Sequence, residues 1–330
     1  MTLVRGEEYA VGVGVESVAG TAVAAQDWVR LREPSSIQTM KETVDIKETR
    51  ATGVATQGQE ITMQKVEGDM PLNLRFRTIG YFLKSLLGTL TSATEAGETT
   101  VYRHTGLLNV SVTQPTLSLS EARGDFDHKQ VAGAVVSKLA LNFPVDDVIN
   151  GSVSIKGRSE VTAADFTAAY ASTDHLAPHQ MVTLKIADNV AGLGAASGIC
   201  VTDLSIELDR GSKEKLCISS TSPVGYIASL LAISGSFNID KTDDTYRDLA
   251  LANTSKAVQI SVVNTAKDIG VTSNPELTFV FPNVTFATTE TRPLDDVVTE
   301  EVTFVAHYDD TEAKAISVSL LNEKANYNAA

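Results

Sequence analysis

The chain has 330 residues, 43% of them hydrophobic and only 6% aromatic, and it carries 27 basic against 41 acidic side chains for a net charge of −14. That length holds two ordinary domains, the apolar content excludes wholesale disorder, and the core has to be built mostly from Val, Leu, Ile and Ala. So acidic a surface excludes a tight sequence-reading nucleic-acid binder, while suiting a surface along which DNA slides without sticking.

Residues 1–27 have little periodicity. Gly12, Gly14 and Gly20 are spaced GxGxxxxxG rather than GxGxxG, with no buried strand before them and no helix after. A phosphate-binding loop is therefore excluded, and an extended, close-packing N-terminal arm is expected. The opening MTLVRGEEYAVGVG has no charged-then-apolar signal pattern, and no apolar run approaches a membrane span. The expectation is a protein made in the cytoplasm without a membrane segment.

A first unit is expected over 28–158. Trp28, Val29 and Leu31 read as a short strand, and 33–59 as a long polar loop with scattered apolar residues at Ile37, Met40, Val44 and Ile46. A loop of that length and composition suits an arm that becomes ordered against a partner. Ile61 and Met63, then Met70, Leu72, Leu74 and Phe76, alternate as strands. Ile79, Phe82, Leu83, Leu86 and Leu87 follow at helical spacing, with Thr78 as the expected cap and Gly88 as the stop. Further strands are expected near 101–104, 116–120, 131–143 and 152–156.

Residues 159–180 contain no strand pattern and read as a connection, with two helical turns over 163–170. A second unit is expected over 181–330. Its strands begin at Val182, Leu184 and Ile186, and at Val201, Leu204, Ile206 and Leu208. An irregular excursion over 209–229 contains Lys213, Leu216 and Tyr226. A strand through Leu231, Ile233, Phe237 and Ile239 leads to a helix beginning at Asp243-Asp244, capped by Thr242. Strands then run over 258–262, 277–281 and 284–287, and the chain closes on a hairpin.

That last stretch, Val297–Asn322, echoes an earlier one. Val302, Phe304 and Ala306, an Asp309-Asp310 turn, then Ser317-Val318-Ser319-Leu320 match Leu139, Leu141 and Phe143, Asp146-Asp147, then Ser152-Val153-Ser154-Ile155. The echo, together with the repeated order of strand, long loop, strand, helix and several strands, implies a duplication. The fold class expected is mainly β with short helices: two tandem β-sandwich or tube-type units, each with one packing helix and one long loop.

Nothing in the sequence argues for catalysis. There is no GxSxG, P-loop or EF-hand pattern, and no metal or cofactor site is expected. His175 and His179 are spaced HxxxH but enclose Pro178 and lack the Glu of HExxH. The Asp-Asp pairs at 146/147, 243/244, 295/296 and 309/310 sit at turns and a helix start, where carboxylates have structural uses. Cys200 and Cys217 are expected to be free, buried thiols.

The run GVGVESVAGTAVAAQDWVRL, with YRHT at 102–105, SVSIKG at 152–157, VTDLSIELD at 201–209, GSF at 235–237 and FPNVTF at 281–286, resembles the major tail tube proteins of long-tailed, non-contractile bacteriophages over nearly the whole chain. The resemblance implies sheets joined edge to edge into a ring, and rings stacked into a hollow tube in the virion tail. Two units per chain would close a pseudo-sixfold ring with three copies. The partners implied are the chain itself, the tape-measure and other tail proteins, and DNA passing without specific binding.

The two long loops would reach a neighbouring subunit or ring through Ile37, Met40, Val44, Ile46, Lys213, Leu216 and Tyr226. Strand alternation places Glu60, Thr62 and Gln64 opposite Ile61 and Met63. It places Ser205, Glu207 and Asp209 opposite Leu204, Ile206 and Leu208, and Ser234 and Ser236 opposite Ile233 and Phe237. These polar residues are the expected lumen lining. The alternatives are a secreted or surface β-rich adhesin and an enzyme on a β-sandwich, which the missing signal pattern and the missing catalytic constellation respectively disfavour.

Overall fold

The structure, a computed structural model, describes residues 8–49, 54–124, 128–163, 165–291 and 297–329. The N-terminal half runs β1 (Tyr9–Val15), β2 (Asp27–Val29), β3 (Gln38–Asp45), β4 (Gln59–Asn73), α1 (Ile79–Leu87), β5 (Gly88–Thr94), β6 (Tyr102–Leu108), β7 (Leu117–Arg123), β8 (His128–Pro144), β9 (Asn150–Gly157) and β10 (Ser159–Thr162). The C-terminal half runs β11 (Val182–Ala187), β12 (Asp203–Asp209), β13 (Lys213–Lys215), β14 (Gly225–Ile227), β15 (Ala232–Asp240), α2 (Thr245–Leu251), β16 (Lys256–Val263), β17 (Glu276–Thr291), β18 (Thr299–His307) and β19 (Ser317–Asn322). The fold is mainly antiparallel β, with two short α-helices among the described residues.

Both halves pair their strands in one order. In the first it is β1–β7–β8–β9–β4, with β10 also on β8. In the second it is β11–β16–β17–β18–β15–β12, with β19 also on β17. The first half completes the correspondence where Leu31 bridges Leu72 outside β4. Two ladders join the halves: β8 pairs with β12, and β19 pairs with β6. The apolar rows predicted by alternation form a shared core, including Met70, Leu139, Leu141, Val153, Leu204, Leu208, Phe237 and Phe304.

Several expectations need correction. Of the arm expected over 1–27, residues 1–7 lie outside the described residues, and the rest is not an arm: β1 is a core strand between β2 and β7, with Val11, Val13 and Val15 buried. Its small residues let the chain fold back, since a Cβ on Gly12 would lie 2.5 Å from the Ala25 Cβ. The long loop 33–59 contains β3, which pairs with β4 as a projecting hairpin. Almost all of β3 is exposed, so no burial periodicity marked it. The excursion 209–229 holds a small hairpin, β13–β14. The connection 159–180 begins with β10, and its 163–170 segment is not helical among the described residues. So short a run does not hold a helix unaided; instead the Phe166 N–H donates to His128 Nδ1 at 2.7 Å and its ring packs on Trp28.

The closing stretch is not a hairpin. β18 and β19 do not pair with each other; both run antiparallel to β17, β18 along 283–291 and β19 along 276–280. The turn between them is a local excursion bridged from Asp309 to Lys314. The true counterpart of the β8–β9 hairpin is β17–β18.

Helix α1 ends as expected at Gly88, which is left-handed with φ 90°. Thr78 makes no side-chain cap. The cap comes from the connection, where Asp174 Oδ1 accepts the N–H groups of Arg77 at 3.1 Å and Thr78 at 3.3 Å. Helix α2 starts at Thr245, whose N–H bonds Asp243 Oδ1 at 2.9 Å, so Asp243 replaces Thr242 in the capping role. Cys200 and Cys217 are free, as expected, but exposed rather than buried. The Asp295-Asp296 pair lies outside the described residues.

The chain ends are tied at one buried carboxylate. Asp27 accepts from Arg77 Nε at 2.8 Å, the Tyr81 hydroxyl at 2.6 Å and Lys324 Nζ at 2.8 Å. Burial pushes this carboxyl up, but the bonds from Lys324, Tyr81 and Arg77 outweigh it and hold it below its ordinary value. Asp27→Asn should lower stability by about 3 kcal/mol, because two cations lose their counter-charge. A depressed carboxyl contributes fully above its unfolded value and loses that contribution as pH falls through the folded one. Thermal melts should therefore give a constant difference between wild type and variant down to about pH 4, shrinking below it.

Candidate functional site

Strand β12 builds the centre of a polar surface. Ser205, Glu207 and Asp209 stand opposite Ser236, Ser234 and Ala232 of β15, and opposite Asn142, Ala140 and Lys138 of β8. Directly opposed residues share a face of the sheet. The same face continues through Ser152 and Ser154 of β9 and through Thr303 and Glu301 of β18. Short hydroxyl side chains dominate it, with Ser205 and Ser236 in contact at 3.0 Å, and Lys138 ion-pairs with Glu207 at 2.8 Å. The opposite face carries Leu204, Ile206 and Leu208, all buried.

The structure thus brings Ser205, Glu207, Asp209, Ser234 and Ser236 together. It leaves Glu60, Thr62 and Gln64 apart from them. Along β4, Glu67 and Asp69 oppose Lys156 and Ser154 on the polar face. By alternation Gln64 shares the side of Val66 and Met70, which are buried, but the β3–β4 register shifts between the Glu42–Met63 and Thr43–Ile61 pairs, a β-bulge at Thr62 that breaks the alternation. Glu60 and Gln64 therefore fall on opposite faces, and all three residues lie in the hairpin that pairs with β3 rather than in the sheet that carries Ser205 and Glu207.

Of the expected contact residues, Met40, Val44 and Ile46 are exposed on the hairpin, and Lys213 and Leu216 on the second excursion. Ile37 and Tyr226 are buried within this chain, so their surfaces are used internally. The second excursion folds back over the first half. Tyr226 donates its hydroxyl to the Gly157 carbonyl at 2.7 Å, and the Gln64 N–H bonds the Thr221 carbonyl at 2.7 Å. Arg158 Nε reaches the Pro223 carbonyl at 2.9 Å, and Glu214 meets Lys65 at 3.2 Å. Burial pushes the Lys65 ammonium down, but Glu214 and Glu67 hold it above its ordinary value.

Two of the sheet edges that lack a second ladder among the described residues mirror the β8–β12 junction. Thr285–Thr291 of β17 has a strand ladder only with β18, and the backbone of the 31–37 segment bonds toward β4, through Arg32 N–H to Pro71 and Ser36 N–H to Asp69. Among the described residues no strand ladder occupies their other sides.

One residue that sequence reasoning passed over is Glu16. Its buried carboxylate accepts the N–H groups of Gly20 and Gly133, both at 2.7 Å, and the hydroxyls of Thr116 at 2.7 Å and Ser118 at 2.8 Å. A lone acid within a run of valines and small residues was the available signal. Among the described residues no group of three His, Cys, Asp or Glu side chains is placed to hold a metal ion, and His175 is paired to Glu323 at 3.2 Å. Among the described residues no helix is long and apolar enough to cross a membrane.

A family model described as phage tail tube protein matches residues 6–306. The chain belongs to the phage tail tube protein family. It is a component of the virion tail whose role is structural, and membership implies self-assembly and contact with other tail proteins. No curated protein matches the chain. For a tail tube protein the folded-back excursion is part of the subunit's own architecture. Tyr226→Phe should cost about 1 kcal/mol and should speed limited proteolysis between Leu216 and Ser220, with little change elsewhere in the digest.

Proposed function

We propose that this tail tube protein closes into a ring of three copies with pseudo-sixfold symmetry. The rings stack into a hollow tube around the tape-measure protein, and the tube later conducts DNA. The observation that carries this reading is the β8–β12 ladder, an edge-to-edge junction between the two halves of one chain. Each half has the same pairing order, so the equivalent edges at the chain's extremes are Thr285–Thr291 of β17 and the 31–37 segment. An open edge is an aggregation hazard unless it is used, and a closed ring uses every edge. Because two units occupy each chain, three chains make the six junctions.

The polar face around Ser205, Glu207, Ser234 and Ser236 is the proposed lumen lining. Its carboxylates, Glu207, Asp209 and Glu301 among them, repel a phosphate backbone, and its hydroxyls offer no cationic grip. The chemistry needed is absence of adhesion, which is why no catalytic constellation is called for.

Negative-stain electron microscopy beside light scattering of the purified protein tests the ring. Rings or tubes with three chains per ring are expected. Six chains per ring would keep the tube and overturn the halving, and a protein without rings at any concentration would overturn both. The lining has its own test. Glu207→Lys combined with Glu301→Lys should leave assembly intact, since exposed charge changes cost under about 1 kcal/mol. The doubly substituted tubes should bind linear DNA in a salt-dependent way where wild-type tubes do not. DNA affinity unchanged by the pair would remove these residues from the lumen.

A further inference from the structure

The two halves correspond residue by residue in sequence and in strand register along two strands. Val66–Asn73 (VEGDMPLN) of β4 corresponds to Ile233–Asp240 (ISGSFNID) of β15, putting Gly68 on Gly235, Met70 on Phe237 and Leu72 on Ile239. A helix starts soon after each, at Ile79 and at Thr245. Gly151–Gly157 of β9 corresponds to Glu300–Ala306 of β18, and the registers agree, since Gly68 faces Ile155 and Gly235 faces Phe304. Both glycines are required by close approach. A Cβ on Gly68 would lie 2.5 Å from the Ile37 backbone, and one on Gly235 would strike the Phe304 ring and lie 2.5 Å from the Ser205 carbonyl oxygen.

On this correspondence, the β13–β14 excursion is the counterpart of the β3–β4 hairpin. The excursion rests on a surface of the first half formed by Gln64, Lys65, Lys156, Gly157 and Arg158. The counterpart surface on the second half is Leu231, Ala232, Val305, Ala306 and His307, flanked by Leu230 and Tyr308. It stands open: Leu230 is 94% exposed, Val305 47% and Tyr308 60%.

The chemistry of donor and floor agrees in both cases. The floor in the first half is charged and receives Glu214, which meets Lys65 and lies 3.9 Å from Lys156. The floor in the second half is apolar, and the hairpin carries exposed Met40, Val44, Ile46 and Ile61. The hairpin's root, β4, is separated from β15 by β9, β8 and β12, about 19 Å across the sheet. The internal contact places an excursion on the adjacent half rather than on its own. For the first half's hairpin, the adjacent half belongs to another chain.

We infer that Leu230, Leu231, Val305 and Tyr308 form a docking patch for the β3–β4 hairpin of a second copy of this chain. This rests on the tube reading and adds to it the receiving surface. Leu230→Glu and Val44→Lys, each at an exposed position that leaves the core untouched, should separately raise the concentration needed for assembly about tenfold. The double variant should recover most of that loss through the new charge pair. Wild-type tubes with both single variants unchanged would overturn the patch while leaving the tube reading in place. Wild-type protein that never assembles would overturn both.

A cross-link adds position. In a Cys200→Ser, Cys217→Ser background, Ile46→Cys with Leu230→Cys should give disulfide-linked multimers on oxidation of assembled protein. A disulfide-closed single chain would mean that the hairpin folds back onto its own patch. Intact tubes without any cross-link would mean that it docks elsewhere. Either result overturns the inference.

Discussion

Strand β8 has to satisfy hydrogen-bonding groups on both sides along its whole length. Its first part lies between β7 and β10, its second between β9 and β12. A backbone edge left bare in the middle of the protein would lose its hydrogen bonds without water to replace them. β12 fills that edge, and in doing so fixes where the second half sits. The register Leu204 opposite Phe143, Ile206 opposite Leu141 and Leu208 opposite Leu139 keeps one apolar row continuous across the junction. A slip by one residue would turn that row onto the hydroxyl-rich face. The position of the polar surface and of both open edges follows from this ladder.

The second join works from the opposite end of the chain. β19 pairs with β6 from Ser317 opposite Leu107 to Asn322 opposite Tyr102. Beyond it the tail folds beneath α1. There the Tyr327 hydroxyl donates to the Arg77 carbonyl at 2.6 Å and accepts from Asn322 Nδ2 at 2.8 Å. Lys324 completes the charge on Asp27. Glu98 adds a third tie, its carboxylate taking the N–H groups of Val271 at 2.9 Å and Thr272 at 3.0 Å. Those bonds hold the Glu98 carboxyl below its ordinary value, chiefly through the backbone of Thr272 and Val271. The two halves are therefore bound by ladder, tail and turn, which keeps their open edges at a set separation.

Much of this was legible because burial leaves a period. Leu204, Ile206 and Leu208 alternate with Ser205 and Glu207, and the 79–87 helix carries its apolar stripe. What stayed hidden lacked a buried face or depended on a distant partner. β3 has no dry side, so its strand left no alternation. The partner of β19 could not be read from β18, because alternation specifies a face and not a neighbour. The row of Glu60, Thr62 and Gln64 opposite Ile61 and Met63 does not hold along β4, because a bulge at Thr62 shifts the register, and sequence alternation carries no sign of a bulge. Glu16 was hidden for another reason: its ligands come from Gly20, Thr116, Ser118 and Gly133, which no local pattern unites.

The two halves have kept their pairing order while diverging in the floors that receive an excursion. Inside the chain the floor is charged, and Lys65, Lys156, Glu67 and Glu214 form a cluster of partly buried ions. Such a contact gains from being unimolecular, since tethering removes most of the entropic cost of bringing the ions together. In the proposed ring, the contact between chains has no tether, and an apolar floor supplies attraction that salt does not screen. The divergence also prevents exchange. An apolar hairpin set on the Lys65 floor would strip water from ions without replacing their partners, and Glu214 set against Leu230 and Val305 would lose its cations. In the proposed ring each excursion is thus excluded from the other's place, which favours the joining order that leaves the hydroxyl face continuous.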